Sequence, residues 1–156
     1  PEELVFTSCG SESDNWALLG GAEAMKRTGR HIISSSVEHD AVRRSLDRLE
    51  GLGCTVTRLA PDSAGAITSE SVLAALRPDT ALISLMMVNN ETGAVTDIAG
   101  IARAVRAAGC RAHRRAVYPQ RAASAALYLR RRSGVGAPRG NGGYAGYCGI
   151  CRRSTS

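Results

Sequence analysis

The sequence is short of several things, and each shortage removes a class of explanation. Of 156 residues one is Lys (Lys26), one is Phe (Phe6) and one is Trp (Trp16), with aromatics at 4%. A single lysine leaves little room for chemistry that needs an amine nucleophile. No apolar run approaches the ~20 residues that cross a bilayer, so no spanning helix and no membrane partner are expected. The start, Pro1-Glu2-Glu3-Leu4-Val5-Phe6, lacks a basic segment followed by an apolar one, so no signal peptide is expected. Because the chain opens directly on a strand-like segment, the true beginning is expected to lie further upstream. Five cysteines (Cys9, Cys54, Cys110, Cys148, Cys151) are an odd number and do not make a secreted disulfide framework. Cys148 and Cys151 form a Cys-x-x-Cys pair without the second pair or nearby His that a four-ligand zinc site needs, so no metal site is expected.

The most informative absence is of acid. Residues 1–110 hold all 14 Asp and Glu and half of the 20 Lys and Arg, whereas residues 111–156 hold ten Arg and no Asp, Glu or Lys. The overall charge of +6 therefore hides an acidic body and a strongly basic tail. Natural surfaces usually mix both signs. Ser133 to Gly149 adds seven glycines in seventeen residues with no strand or helix period, and structure is not expected of it. Two segments follow: residues 1–112, a partial folded domain, and residues 113–156, an Arg/Gly-rich divergent tail with little regular structure. Within the tail, Ala122 to Leu129 is expected as a short helix. Ten arginines imply non-specific attraction to polyanions. Tyr118, Tyr128, Tyr144 and Tyr147 could stack on bases, but no recognisable nucleic-acid motif accompanies them, and no specific nucleic-acid partner is expected.

What is present in the first 110 residues is an alternation of strand and helix signals. Leu4 to Thr7 is a short apolar run. Ser11 to Arg27 has Trp16, Leu19, Ala22 and Met25 near helical spacing, with Ser11 or Ser13 as cap and Thr28-Gly29 as stop. His31 to Ser34 reads as a strand, and Asp40 to Leu52 as a helix with Val42, Leu46 and Leu49 on one face. Thr55 to Leu59 reads as a strand, Pro61 to Gly65 as a turn, and Ser69 or Glu70 to Leu76 as a helix stopped by Pro78. Thr80 to Val88 is the most apolar stretch, the pattern of a central parallel strand buried on both faces. Ile98 to Ala108 is the last helix. Repeated β-α units with short links predict an α/β fold with a mostly parallel sheet flanked by helices.

Polar clusters follow three of the strands, at the ends where open α/β sheets carry their functional loops. Gly10 and Ser11 lie in Thr7-Ser8-Cys9-Gly10-Ser11-Glu12-Ser13-Asp14-Asn15, a loop leading into a helix. Such a loop can hold a phosphate on backbone N–H groups, or simply cap the helix. His39, in Ser35-Ser36-Val37-Glu38-His39-Asp40, could act as acid or base, stack on a planar ring, or cap its helix. Asn90 lies in Val88-Asn89-Asn90-Glu91-Thr92-Gly93, which could bind polar groups or form only a hydrogen-bonded turn.

Taken together, these segments carry a resemblance. Phe6 to Asn15 resembles the phosphate-binding turn of the cysteine desulfurase and selenocysteine lyase family, and Ser36-Val37-Glu38-His39-Asp40-Ala41-Val42 resembles its Glu-His segment. Leu76 to Ser84 and Met87 to Gly93 resemble the strand and loop that follow, in the same order and spacing across residues 1–113. The resemblance implies the pyridoxal 5′-phosphate (PLP)-dependent aminotransferase fold type I, here as a partial large domain. It implies a homodimer that removes sulfur or selenium from cysteine or selenocysteine, leaving alanine. It further implies a role in sulfur metabolism and iron–sulfur cluster assembly, a possible sulfur-acceptor protein as partner, and a cytoplasmic location. By position, Gly10 and Ser11 would hold the cofactor phosphate and His39 would stack on the pyridine ring and assist proton transfer. Asn90 would lie near the ring oxygen and the substrate carboxylate. Cys9 resembles a small turn residue and not the family's persulfide-forming cysteine.

The resemblance breaks at residue 113. The family continues His-(Thr or Val)-Asp-Ala with a Gln soon after, its Asp pairing with the pyridinium nitrogen. His113 matches the His, but Arg115 and Tyr118 fall where Asp and Gln belong. The Ser-x-His-Lys motif carrying the Schiff-base lysine is absent, as are the catalytic-cysteine loop and the small domain. Ala112-His113-Arg114-Arg115 can be encoded GCA CAC CGA CGC, which one base over reads CAC ACC GAC GC, giving His-Thr-Asp and the start of Ala. A frameshifted tail, and an inactive fragment of such an enzyme, are the resulting expectations. The edges and faces left unpartnered predict poor solubility.

Overall fold

The computed structural model describes residues 7–109 and the strand backbones of 111–117 and 124–130. Its elements run α1 (Gly10–Met25), β1 (His31–Ser35), α2 (Asp40–Gly51), β2 (Thr55–Leu59), α3 (Ser69–Ala75), β3 (Thr80–Met86), α4 (Ile98–Ala107), β4 (Arg111–Val117) and β5 (Ser124–Arg130). The five strands form one sheet in the order β2-β1-β3-β5-β4. β1 pairs in parallel with both β2 and β3, and β5 runs antiparallel between β3 and β4. The expected α/β architecture with a mostly parallel sheet is therefore what the chain adopts. The expected strand at Leu4 to Thr7 falls largely outside the described residues, as do the Gly-rich stretch and the Cys148–Cys151 pair.

Two cores sandwich the sheet. On one face α1 and α2 bury Ala17, Leu18, Val42, Leu46 and Leu49 against Ile32 of β1 and Leu82 of β3. On the other, Val72 of α3 and Ile101 and Val105 of α4 pack on Ile33, Ile83 and Leu85. Successive strand residues feed opposite faces, as the period of two requires. This is why β1 and β3 are apolar on both sides and wholly buried.

Local signals set most boundaries. α1 gives way to a turn in which the Thr28 and Gly29 N–H groups both donate to the Met25 carbonyl, at 2.7 and 3.2 Å. Gly29 is obligatory there, since a Cβ on it would lie 1.9 Å from the Asp79 carbonyl oxygen. The Asp62 carboxylate accepts from the Ala64 and Ala66 amides, both at 2.9 Å, closing the turn before α3. The N-terminal edge of the sheet is stitched by His31, fully buried, whose Nδ1 and Nε2 lie 2.8 Å from the Thr80 and Thr57 hydroxyls. One imidazole thus bridges β3, β1 and β2.

Two expectations need correction. The cap of α1 is Cys9, not Ser11 or Ser13, and its side chain makes no capping hydrogen bond. Glu12 ties the preceding residues to the helix start, its Oε2 accepting from the Ser8 amide and hydroxyl at 2.7 and 2.8 Å. The residues expected as a helix at 122–129 fall largely in strand β5. A short apolar run does not distinguish the two, and pairing decides: β3 has a free edge after β1 is seated, and β5 fills it with Leu82 opposite Tyr128 and Ile83 opposite Leu127. β4 starts at Arg111, on the composition break, and its pairing with β5 shifts register between His113 and Val117.

Candidate functional site

Because β1 and β3 are parallel neighbours, the loops that leave them emerge at the same edge of the sheet. Contacts between loops then fix this edge. Asn89 Nδ2 donates to the Val37 carbonyl at 3.2 Å, while the Met86 amide donates to Glu38 Oε1 at 2.8 Å. α1 joins from the side: the Ser45 hydroxyl of α2 donates to Asn15 Oδ1 at 2.8 Å. Asp14, one residue earlier, is within electrostatic reach of both Glu38 and His39. The three polar clusters are thus brought to one edge, knit by Asp14, Asn15, Glu38 and Asn89.

At the α1 corner, Gly10 and Ser11 are exposed in the first helical turn. With no capping bond from Cys9, this helix start keeps backbone N–H donors and the Ser11 hydroxyl at its positive end. The Cys9 thiol is held below its ordinary range by the Glu12 amide, the Ser8 hydroxyl and the Ser11 amide. Burial and the Glu12 charge oppose these donors, so the helix start carries N–H donors and a carboxylate side by side. Glu12, tied to Ser8, has its carboxyl lowered as well.

His39 caps α2. Its Nδ1 accepts from the Ala41 amide at 3.1 Å, so in the neutral ring the proton sits on Nε2. The ring is exposed. The capping reading and the functional reading are therefore compatible, since one nitrogen serves the helix and the other stays available.

The 89–93 segment is a closed turn. Asn89 Oδ1 accepts from the Glu91 and Thr92 amides, both at 2.9 Å, and the Gly93 amide donates to the Asn89 carbonyl at 3.0 Å. Gly93 takes φ +74, where a side chain is disfavoured. Asn89 is thus consumed by structure, and Asn90 beside it is exposed.

Behind this rim lie two buried carboxyls that sequence reasoning missed. Glu38 is 6% exposed; its Oε1 accepts from the Ser35 hydroxyl at 2.7 Å as well as from Met86, and its Oε2 is buried with no partner. Burial pushes its carboxyl up to about 7, against the two hydrogen bonds and with help from Asp14. Asp14 is raised too, by burial, with His39 partly offsetting the rise. The available signal was a Ser three residues before a Glu at a strand exit, which periodicity does not read.

The donor set suits a phosphorylated planar cofactor at two of three points. The α1 start offers donors to an anion, and His39 presents an exposed imidazole with one nitrogen uncommitted. A covalent anchor does not fit. Lys26 lies at the opposite end of α1, about 22 Å from Ser11 at 1.5 Å per helical residue, and is paired with Glu23. Among the described residues no group of His, Cys, Asp and Glu is arranged to hold a metal ion, and no helix is long and apolar enough to cross a membrane.

Comparison with known proteins agrees with this arrangement. "Cysteine desulfurase IscS" of Acinetobacter baumannii (strain AYE) is 53% identical over 108 residues, 69% of this chain and 27% of the relative. This chain therefore spans about a quarter of that relative's length. The crystal structure of DndA from Streptomyces lividans superposes with a TM-score of 0.64 at 39% identity, covering 85% of this chain and 44% of DndA. A structure titled SspA in complex with cysteine gives a TM-score of 0.61 at 39% identity, covering 70% of this chain and 31% of SspA. Residues 1–117 match the family model "Aminotransferase class-V". With that match covering most of the chain, over a sheet whose strand-end loops meet at one edge, this chain belongs to the aminotransferase class-V family.

Proposed function

We propose that this chain carries the phosphate- and ring-binding edge of a PLP-dependent cysteine desulfurase, and that alone it is an inactive portion of that enzyme. In this reading Gly10 and Ser11 hold the cofactor phosphate, His39 lies on the ring, and Asn90 lies near the ring oxygen and the substrate carboxylate. When bound, the cofactor supplies an electron sink for cleaving the carbon–sulfur bond of cysteine, or carbon–selenium bond of selenocysteine. The residues of this chain bind and orient it, and His39 keeps a proton at Nε2. The substrate class is supported by the cysteine bound to the SspA relative. Inactivity is supported by the position of the only lysine, far along α1 from the proposed phosphate site. The single observation that carries the reading is the uncapped start of α1, with Ser11 at its open end, beside the His39 loop.

The test uses pyridoxine 5′-phosphate, which has no aldehyde and so does not react with amines, against unphosphorylated pyridoxine. The 156-residue chain should bind the phosphorylated form at least about tenfold more tightly, a difference of about 1.4 kcal/mol. Ser11→Ala should narrow that ratio. Equal affinity for the two compounds overturns the phosphate assignment. A homodimer, a sulfur-acceptor protein and a cytoplasmic location, which the sequence resemblance implies, belong to the proposal for the whole enzyme.

A second reading concerns the tail. Ten arginines without one acid in residues 111–156 favour non-specific binding of polyanions. Random-sequence DNA should bind at low salt and release steeply as salt rises; no binding at low salt removes this reading.

A further inference from the structure

Among the described residues at this edge, Glu38 is the buried ionisable side chain that is bonded to two elements and has no part in the proposed binding of the cofactor. Its Oε1 takes the Ser35 hydroxyl at the exit of β1 and the Met86 amide at the exit of β3. Its own loop carries His39, and the strand it grips launches the turn that carries Asn90. From this geometry we infer that Glu38 is a positioning residue, a clasp that holds the His39 loop in fixed register with the end of β3. The inference rests on the proposed cofactor edge only for its consequence in binding.

The clasp works as the neutral acid. A carbonyl-type Oε1 can accept both hydrogen bonds, and a hydroxyl at Oε2 is the less costly occupant of a buried spot with no partner. Burial, which raises this carboxyl to about 7, acts in the same direction. Asp14 on α1 is the charged group set against it, with His39 beside Asp14, and a second negative charge there would repel the first. Because the folded-state value lies above the unfolded value of 4.5, the contribution is complete below the latter and is lost as pH rises from there through about 7. Ionised Oε2 then needs water, and the loop must open to supply it.

The test is amide hydrogen exchange on the cofactor-free 156-residue chain between about pH 5 and about pH 9, corrected for intrinsic rates. In the native sequence, protection of the Met86 amide should fall at least about tenfold as pH rises through about 7, while Ile33 in the core changes less than about twofold. Glu38→Gln, which keeps the acceptor and cannot ionise, should hold Met86 protection flat across the range. Glu38→Leu should lose it at every pH. An unchanged pH profile in Glu38→Gln, or full Met86 protection in Glu38→Leu, overturns the inference. Should Glu38→Leu lose Ile33 protection as well, Glu38→Gln alone decides. In a second arm, Glu38→Gln should bind pyridoxine 5′-phosphate as the native chain does, and Glu38→Leu more weakly where it folds. Failure of the native chain to bind that probe defeats the proposed function and leaves the exchange result standing.

Discussion

The Asn89 side chain reaches across 52 residues of sequence to the Val37 carbonyl, which its Nδ2 meets at 3.2 Å. At the same time its Oδ1 closes its own turn on the Glu91 and Thr92 amides. One amide therefore builds one loop and docks it on another. Replacing Asn89 with Ala removes three hydrogen bonds at a half-buried point, so a loss of about 1–3 kcal/mol in unfolding free energy is expected. A denaturant titration checks this, and an unchanged midpoint would show that the two loops hold together without it.

His31 predicts an acid-sensitive sheet. Burial holds its imidazole below the ordinary value, Arg77 adds to this, and Asp79 opposes it. A base whose folded value is depressed stabilises the fold above its unfolded value of about 6.5 and gives that stability up as pH falls below it. In a Glu38→Gln background, which removes the opposing carboxyl titration, unfolding free energy measured from about pH 7 down to about pH 5 should therefore decline, and the decline should shrink when His31→Gln, whose side chain does not titrate, is added. The Glu38 contribution runs in the opposite direction, so the double variant with Glu38→Gln should have the flattest profile of the set.

Gly29→Ala tests the close approach of Gly29 to the Asp79 carbonyl. The added methyl meets the Asp79 carbonyl, and that carbonyl accepts the His31 amide at 3.1 Å, so it cannot retreat freely. Destabilisation of about 1–3 kcal/mol is expected from this overpacking. Thermal unfolding at neutral pH provides the check.

Turnover should be absent. With pyridoxal 5′-phosphate and cysteine, the chain should release alanine no faster than the cofactor does in free solution, and Lys26→Arg should change nothing. Alanine release that depends on Lys26 would mean that this lysine reaches the cofactor, contrary to its position at the far end of α1.

Much of the fold is legible in the sequence, since it depends on periodicity. Val42, Leu46 and Leu49 announce a helix face, and all three are buried. The mostly apolar stretch from Thr80 announces a strand covered on both sides. The departures occur where a partner decides the outcome. Ser124 to Arg130 becomes a strand because β3 offers an open edge, a fact no local window contains. Cys9 occupies the cap position of α1 without a capping bond, while Glu12 ties back to Ser8, a pairing that the helical period does not contain. At the site, Gly10 and Ser11 are readable as a helix start, and His39 and Asn90 as polar residues after strands. Glu38 and Asp14 are not, since burial of one polar residue in a loop depends on the packing of three elements at once.

The central claim is that three loops make one cofactor edge, and a residue-resolved titration tests it most directly. Amide resonances of the isotopically labelled chain are followed as pyridoxine 5′-phosphate is added. The account predicts that Gly10 and Ser11, His39, and Asn90 shift together along one saturation curve. Shifts confined to the start of α1, or curves with different midpoints at the three loops, would contradict it.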